Sequence, residues 1–182
     1  MKFILILLMA VSSFAAAQSA PELSQNRWRV GIAAEMLGTE SINQENLEWL
    51  PSWGAEVGYE FGRFVVLVEG RFWQDSSQSG ALSIRQKSRQ GLLWVRGHKR
   101  LYQGTLGLLQ LGTGYRQTKI ENQLGGERMD LNGDSEMVLG AGGGFGWQLG
   151  DRWRSEVVLK ALKTQTRLPW EISASLALQF LL

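Results

Sequence analysis

Glu56 and Glu69 are the residues whose types and spacing could most clearly do chemistry. Pairing outward from the dipeptide Gly62-Arg63 places these two carboxylates directly opposite each other on neighbouring strands. Glycosidases use paired carboxylates for acid and base catalysis. The alternative is a structural salt-bridge network, in which Arg71, diagonal to Glu56, and basic residues of the next strand neutralise the pair. We favour the structural alternative, because a substrate would not easily reach the two acids.

The hairpin that would hold this pair has one apolar face and one polar face. Successive side chains of a strand point to opposite sides, so a single register must sort both faces at once. The pairs on the first face are Phe61 with Phe64, Tyr59 with Val66, Val57 with Val68, and Trp53 with Phe72. The pairs on the second face are Glu60 with Val65, Gly58 with Leu67, Glu56 with Glu69, and Gly54 with Arg71.

A second hairpin turns at residues 150–152, and three turn residues are needed to keep its faces separate. Its apolar face pairs Leu149 with Trp153, Trp147 with Ser155, Phe145 with Val157, and Gly143 with Leu159. Its other face sets Gly140, Gly142, Gly144 and Gly146 against Leu162, Lys160, Val158 and Glu156. Small residues opposite large ones let a narrow barrel close around bulky side chains, which explains part of the glycine content.

Apolar and polar residues alternate with a period of two along most of the chain and predict eight strands. The expected ranges are 27–37, 53–61, 64–74, 82–97, 102–117, 135–149, 153–164 and 170–182. In the fourth strand we expect Leu92 and Trp94 to point outward and Arg85, Lys87 and Arg89 inward. In the fifth we expect Leu109, Leu111, Thr113 and Tyr115 to point outward. The inward polar set is then Arg29, Glu35, Glu56, Glu60, Glu69, Arg71, Arg154, Glu156 and Lys160.

The connections alternate between tight and long, and aromatic residues collect near both ends of the strands. We expect tight turns near 62–63, 98–101 and 150–152, and longer loops at 38–52, 75–81, 118–134 and 165–169. This asymmetry is typical of outer-membrane barrels. The aromatic residues near the tight turns are Trp28, Phe61, Phe64, Trp147, Trp153 and Phe180; those near the long loops are Trp53, Phe72, Tyr115 and Trp170. Two such bands are expected where a barrel meets the two interfaces of a bilayer.

The composition excludes several classes of protein. The chain has 182 residues, 44% hydrophobic and 20% charged, with 22 Gly, 8 Trp and no Cys, so disulfide scaffolds and thiolate zinc sites are excluded. Nineteen basic and 17 acidic side chains nearly balance, so no nucleic-acid-binding surface is indicated.

Lys2, the apolar run 3–11 and Ala15-Ala16-Ala17 predict a secretory signal peptide. We therefore expect a signal peptide at 1–17, a periplasmic segment at 18–26 and a barrel at 27–182.

The signal peptide, the eight alternating strands, the aromatic bands and the C-terminal strand resemble the small outer-membrane β-barrels of the OmpX and OmpA-transmembrane type. The resemblance implies an eight-stranded antiparallel up-and-down barrel in the bacterial outer membrane. The implied partners are outer-membrane lipids, lipopolysaccharide and, during biogenesis, the barrel-assembly machinery. That machinery recognises a last strand ending in Phe or Trp; Phe180 lies on the right face, but the chain ends at Leu182.

The sequence favours a non-catalytic barrel with a structural or surface-interaction role through loops 38–52 and 118–134, without a cofactor or a metal. A narrow pore is the first alternative. A lipid A-modifying enzyme is the second, but the only histidine, His98, is placed at a tight turn, far from Asp75-Ser76 at the long-loop end. Asp130, Asn132, Asp134 and Glu136 loosely resemble a calcium loop, but the position of Gly133 does not fit one. We interpret that segment as a solvated loop.

Overall fold

The eight predicted strands form one closed barrel. The computed structural model describes residues 26–40, 47–79, 82–102, 104–124, 127–165 and 170–182. Each strand pairs antiparallel with the next, and the first closes onto the last, which confirms the predicted fold class. The strands are β1 (Arg27–Glu40), β2 (Leu47–Phe61), β3 (Phe64–Ser79), β4 (Leu82–Tyr102), β5 (Thr105–Leu124), β6 (Glu127–Gln148), β7 (Trp153–Thr164) and β8 (Glu171–Leu181). The predicted signal peptide at 1–17 lies outside the described residues, as do residues 18–25.

Two of the three tight turns follow the predicted register. The β2–β3 hairpin pairs Phe61 with Phe64 and Glu56 with Glu69, and Gly62 at its turn has a φ of 62°. The β6–β7 hairpin pairs Trp147 with Ser155, as expected from a three-residue turn at 150–152. In both hairpins one register sorts the apolar and the polar face, so the hydrophobic pattern and the turn chemistry agree.

The third tight turn lies further along the chain than predicted. We expected it at 98–101, but β4 continues to Tyr102, and β5 begins at Thr105. Gly104 between them has a φ of 80°, in the left-handed region that favours glycine. The segment His98-Lys99-Arg100 contains no such residue, so it remains in the strand, where His98 pairs with Leu108.

The strands differ in length at one end of the barrel. We call the end with the three tight turns the turn end, and the opposite end the projecting end. β7 and β8 have 12 and 11 residues, close to the roughly 9–11 that a tilted strand needs to cross a bilayer. β4, β5 and β6 have 21, 20 and 22 residues, and their extra length lies at the projecting end. There, residues 74–79, 82–88, 118–124 and 127–137 form a projecting sheet.

These long strands correct the predicted loops. Most of 38–52 belongs to β1 and β2, which pair up to Glu40 and Leu47, and only 41–46 lies outside the described residues. Most of 118–134 belongs to β5 and β6, which pair up to Leu124 and Glu127. Both segments are predicted as loops because they are rich in polar residues and do not show the alternation of apolar and polar side chains that marks a strand. Strand pairing extends through them because a ladder satisfies backbone groups whatever the side chains are.

The barrel is apolar on its outside. Ile32, Trp53, Val68, Leu109 and Leu159 are 59–75% exposed, and they belong to a belt of exposed hydrophobic side chains. Charged and amide side chains are buried inside, together with an apolar cluster of Leu37, Val65, Leu67, Trp73, Leu92, Trp94, Val138 and Leu162. Among the described residues, no helix is long and apolar enough to cross a membrane.

Candidate functional site

The centre of the barrel is occupied by a cluster of two acids, two bases and one tryptophan, which we call the central cluster: Glu35, Glu69, Arg71, Lys160 and Trp94. Arg71 donates through Nε and Nη2 to the two carboxylate oxygens of Glu69, at 2.7 and 2.8 Å, and through Nη1 to Glu35 at 2.6 Å. Lys160 Nζ lies 2.9 Å from Glu69 Oε1 and 3.4 Å from Glu35 Oε2. The cluster has no net charge, so its ions compensate one another.

Glu56 and Glu69, the predicted carboxylate pair, are partners in the backbone register but bind different groups. Glu69 is bound by Arg71, by Lys160 and by the indole Nε1 of Trp94, which donates to it at 2.6 Å. Glu56 accepts a hydrogen bond from the amide of Gln179 on β8. A glycosidase-type pair would have to present both acids to one substrate, and this arrangement directs them to separate partners.

A second cluster fills the barrel at the turn end. Arg29 on β1 contacts Glu60 on β2 at 3.3 Å and Glu156 on β7 at 3.2 Å. Arg154 contacts Glu60 at 3.2 Å, and Arg96 on β4 donates to Glu156. All five side chains are nearly inaccessible to solvent. The ion pairs therefore connect strands on opposite sides of the barrel.

A third, smaller cluster lies inside the projecting end of the barrel. Arg116 on β5 donates to Glu171 on β8 at 2.7 Å and to Gln90 on β4 at 3.0 Å. Its guanidinium also lies 4.9 Å from the centre of the Trp73 ring, within the range of a cation–π contact. Arginine suits this position because its planar fork can satisfy several partners at once.

The predicted orientation of β4 is wrong. Leu92 and Trp94 point inward and are buried, whereas Leu93 and Val95 point outward and are about half exposed. Arg85 and Arg89, expected inside, lie on the exposed face, and Lys87 shares their side of the strand. The error arose because four consecutive apolar residues, 92–95, fit either face. The interior of this barrel is partly apolar, so apolar character alone does not distinguish the two faces.

Two glycines make room for the inward indole of Trp94. A Cβ at Gly112 would lie 2.4 Å from Trp94 Cε3, and one at Gly140 would lie 2.5 Å from Trp94 Cη2. Gly112 pairs with Trp94, and Gly140 pairs with Gly112, so the three residues form one row across β4, β5 and β6. Gly140 on β6 thus opposes a large side chain, as predicted. It faces the indole of Trp94 on β4 as well as the predicted Leu162 on β7.

Several interior polar residues were not identified from the sequence. The outward orientation of Leu109, Leu111 and Tyr115 is as predicted, and it implies that Gln110 and Arg116 point inward. In the same way the outward residues of β8 imply that Gln179 and Glu171 point inward. Arg96, His98 and Gln90 were missed for a different reason, because they follow from the orientation of β4.

The predicted interface aromatics lie on the outside of the barrel, near its two ends. At the turn end, Trp28 packs edge-on against Tyr59 with ring centres 5.1 Å apart, and Trp153 packs in the same way against Phe180 at 5.0 Å. The other predicted aromatics there are Phe61, Phe64 and Trp147; those at the projecting end are Trp53, Phe72, Tyr115 and Trp170. Tyr102, which is 70% exposed beside the β4–β5 turn, adds an aromatic residue that was not predicted for this band.

The residues considered for enzymatic chemistry lie far apart. His98 points inward at the turn end, where its Nε2 lies 3.4 Å from Arg29 Nη2. Asp75 pairs with Gln86 in the projecting sheet. Gln86 precedes His98 by twelve residues, or about 40 Å along β4 at about 3.3 Å per residue. Catalytic partners need hydrogen-bond reach, so these two residues cannot act together.

The segment that resembled a calcium loop is part of a strand. Asp130 and Asn132 lie in β6, paired with Glu121 and Lys119 of β5. Backbone pairing in an extended strand does not bend the chain around an ion as a calcium loop does. Within the described ranges, no group of three or more His, Asp or Glu side chains is placed to hold a metal ion.

Comparison with known proteins supports the fold through structure rather than sequence. No family model and no curated protein matches the chain. Among solved structures, Neisserial surface protein A (NspA) aligns with a TM-score of 0.59 at 12% identity, over 85% of this chain and 96% of that one. Ail, the attachment invasion locus protein of Yersinia pestis, aligns at 0.53 and 13% identity, over 86% and 97%. The N-terminal β-barrel domain of OprF from Pseudomonas aeruginosa aligns at 0.52 and 12% identity, over 87% and 100%. The chain therefore has the fold of the small eight-stranded outer-membrane β-barrels.

Proposed function

We propose that this protein is an integral barrel of the bacterial outer membrane that serves a structural or surface-interaction role and is not a catalyst. The observation that carries the proposal is the inverted distribution of polarity. Large apolar side chains cover the outside, and ion pairs fill the inside. A soluble barrel would bury its apolar face, whereas a bilayer solvates it. In this orientation the turn end faces the periplasm, and the projecting end faces the exterior.

The filled interior argues against the alternative of a pore. An eight-stranded barrel encloses only enough space for side chains or one small ligand. Leu67, Glu69, Trp94 and Leu162 are fully buried at mid-height, and the ions there bind one another across the barrel. An ion that crossed this layer would have to displace Lys160 or Arg71 from Glu69. We therefore expect no conductance in planar-bilayer recordings.

The projecting sheet is the part of the molecule best suited to contact an external partner. Its strands extend well beyond the length that a bilayer requires, and it includes most of the segment 118–134, which the sequence predicts to be a recognition loop. Ail is named an attachment invasion locus protein, and one of its structures contains the heparin analogue sucrose octasulfate. By analogy, we propose that the projecting sheet of the present chain contacts a partner at the cell surface.

Expression in a Gram-negative host tests the membrane assignment. The protein should fractionate with the outer membrane and migrate faster in gels before heating than after, because a folded barrel resists detergent. A soluble monomer in the absence of detergent would contradict the proposal. The mature N-terminus should be Gln18 if the predicted signal peptide is cleaved.

A shortened hairpin tests the surface role. Replacing 118–134 with Asn-Gly joins Gln117 to Ser135, which are already direct partners, through a favoured two-residue turn. Cells that carry the intact chain should adhere to a matrix-coated surface better than cells that carry the shortened chain. Equal adherence, with equal amounts of folded barrel in the membrane, would contradict a role for this hairpin.

A further inference from the structure

A trough crosses the outer face of the barrel where four strands contribute a row of aligned residues: Ala55, Gly70, Gly91 and Tyr115 are successive cross-strand partners. Gly70 and Gly91 project no side chain, and a Cβ built on either would meet no atom within 4 Å. The cavity above them has a volume of about 720 Å³. A second cavity of about 440 Å³ shares Gly91 and Tyr115 and continues the trough towards Met137 on β6.

The rows on either side of the trough give it walls of different character. Towards the turn end, the neighbouring row is Val57, Val68, Leu93 and Thr113. Towards the projecting end, it is Trp53, Phe72, Arg89 and Gln117. The floor and the wall towards the turn end are therefore apolar apart from the hydroxyl groups of Tyr115 and Thr113, and the other wall carries two aromatic rings and a guanidinium. This wall lies at the boundary between the apolar belt and the polar projecting sheet.

Positive charge continues above that wall. Lys87 and Arg85 lie on the same face of β4 as Arg89, further towards the projecting end. Lys119 on β5 is the cross-strand partner of Lys87. Glu121 contacts both of these lysines, at 2.8 Å from Lys87 and at 3.7 Å from Lys119. Within the described residues, Arg85 and Arg89 form no ion pair. Arg85 and Arg89 therefore add positive charge to the surface next to the trough.

We propose that the trough binds an acyl chain of a phosphate-bearing lipid of the outer leaflet, with the phosphate against Arg89 and Lys87. The proposal rests on the membrane location proposed above. The apolar trough lies on the lipid-facing surface, the aromatic rings mark the depth where headgroups begin, and the basic groups lie immediately above them. Arginine binds phosphate through a bidentate fork, which fits the position of Arg89. A phosphate-bearing lipid satisfies both parts of the site, because its acyl chain fits the apolar trough and its phosphate faces the basic groups.

Lipid A of lipopolysaccharide is the phosphate-bearing lipid with which the site can be probed. The protein is purified from the outer membrane, delipidated in detergent and mixed with bisphosphorylated lipid A, and native mass spectrometry counts the lipids retained. Wild type should retain one lipid A. Gly91→Leu fills the trough and Arg89→Gln removes one positive charge, and each should raise the apparent Kd for lipid A about tenfold, so that less lipid is retained.

A matched control variant separates the trough from the general surface. Gly97→Leu adds the same side chain to the same face of β4, outside the residues that line the trough, and should retain lipid A as wild type does. Dephosphorylated lipid A should be retained more weakly, and inorganic phosphate, which has no acyl chain, should not displace lipid A. If Gly91→Leu retains as much lipid A as wild type, the trough is not the binding site of the acyl chain. If dephosphorylated lipid A is retained as well as bisphosphorylated lipid A, Arg89 does not bind a phosphate. Gel migration before heating shows separately whether each variant is a folded barrel, so failure of the site is distinguishable from failure of the membrane assignment.

Discussion

Substitution of Glu69 tests whether the interior ions hold the barrel together. Glu69 is fully buried and is bound by Arg71, Lys160 and Trp94. Glu69→Gln keeps the shape but leaves the central cluster with a net charge of +1, and it turns an amide NH2 towards the donors. Removing one partner of a buried ion pair costs about 3–5 kcal/mol. We expect about 3 kcal/mol of lost unfolding free energy, because Glu35 still contacts both cations.

A double-mutant cycle separates the ion pairs from side-chain packing. Lys160→Met removes a hydrogen-bonded charge but leaves Glu69 its two bonds to Arg71, so we expect a loss of about 2 kcal/mol. The double variant Glu69→Gln/Lys160→Met restores a neutral cluster. It should lose less than the sum of the two single variants, by about 2 kcal/mol. Lys87→Met is the matched control, because Lys87 is 34% exposed in its pair with Glu121 and should contribute less than about 1 kcal/mol.

Reversible urea unfolding in lipid vesicles measures these free energies. Tryptophan fluorescence follows the transition, and the gel mobility of unheated samples gives the folded fraction independently. If the unfolding free energy of Glu69→Gln lies within about 0.5 kcal/mol of the wild-type value, the interior ions do not stabilise the barrel. Strict additivity in the cycle would show that Lys160 and Glu69 act independently.

Three further predictions follow from packing, from the carboxylate pair and from the filled interior. Gly140→Ala should lose about 1–3 kcal/mol in the same unfolding assay, because its Cβ would overlap the Trp94 ring, whereas Gly91→Ala should change stability little. Similar losses for both would contradict the packing argument. Glu56→Gln should leave membrane insertion and cell adherence unchanged, and loss of a defined activity in that variant would revive a catalytic role for the acid. Planar-bilayer recordings of the wild type should show no channels, and steady conductance would favour the pore.

The sequence predicted correctly those parts of the fold that depend on neighbouring residues alone, namely the turn residues and the alternation of apolar and polar side chains. The β2–β3 register follows from one Gly-X turn and from a face that is apolar at every second residue. The β6–β7 register follows in the same way from a three-residue turn. These hairpins needed no information from distant residues, because each strand's partner is its neighbour in the chain. They were enough to bring Glu56 opposite Glu69 and Lys160 opposite Gly142.

The predictions were wrong where the alternation and the turn residues did not distinguish between two possible structures. The segment 92–95 is apolar at every position, and its orientation depends on the space that Gly112 and Gly140 leave inside the barrel. The polar segments 38–52 and 118–134 look like loops, but they remain paired because neighbouring strands supply backbone partners. The β4–β5 turn lies at Gly104 rather than within 98–101, because Gly104 adopts the left-handed φ of 80° that His98, Lys99 and Arg100 would rarely adopt.

The sequence by itself determined the architecture: eight strands, their antiparallel order, the apolar outer face and the aromatic ends. It did so because strand faces alternate with a period of two and because turns have characteristic residues. Only the tertiary structure decided which interior charges meet. Glu69 binds Lys160 and Glu60 binds Arg154 across the barrel, 91 and 94 residues apart in the chain. Such partners depend on how the closed barrel brings opposite walls together, and barrel closure is a property of all eight strands at once.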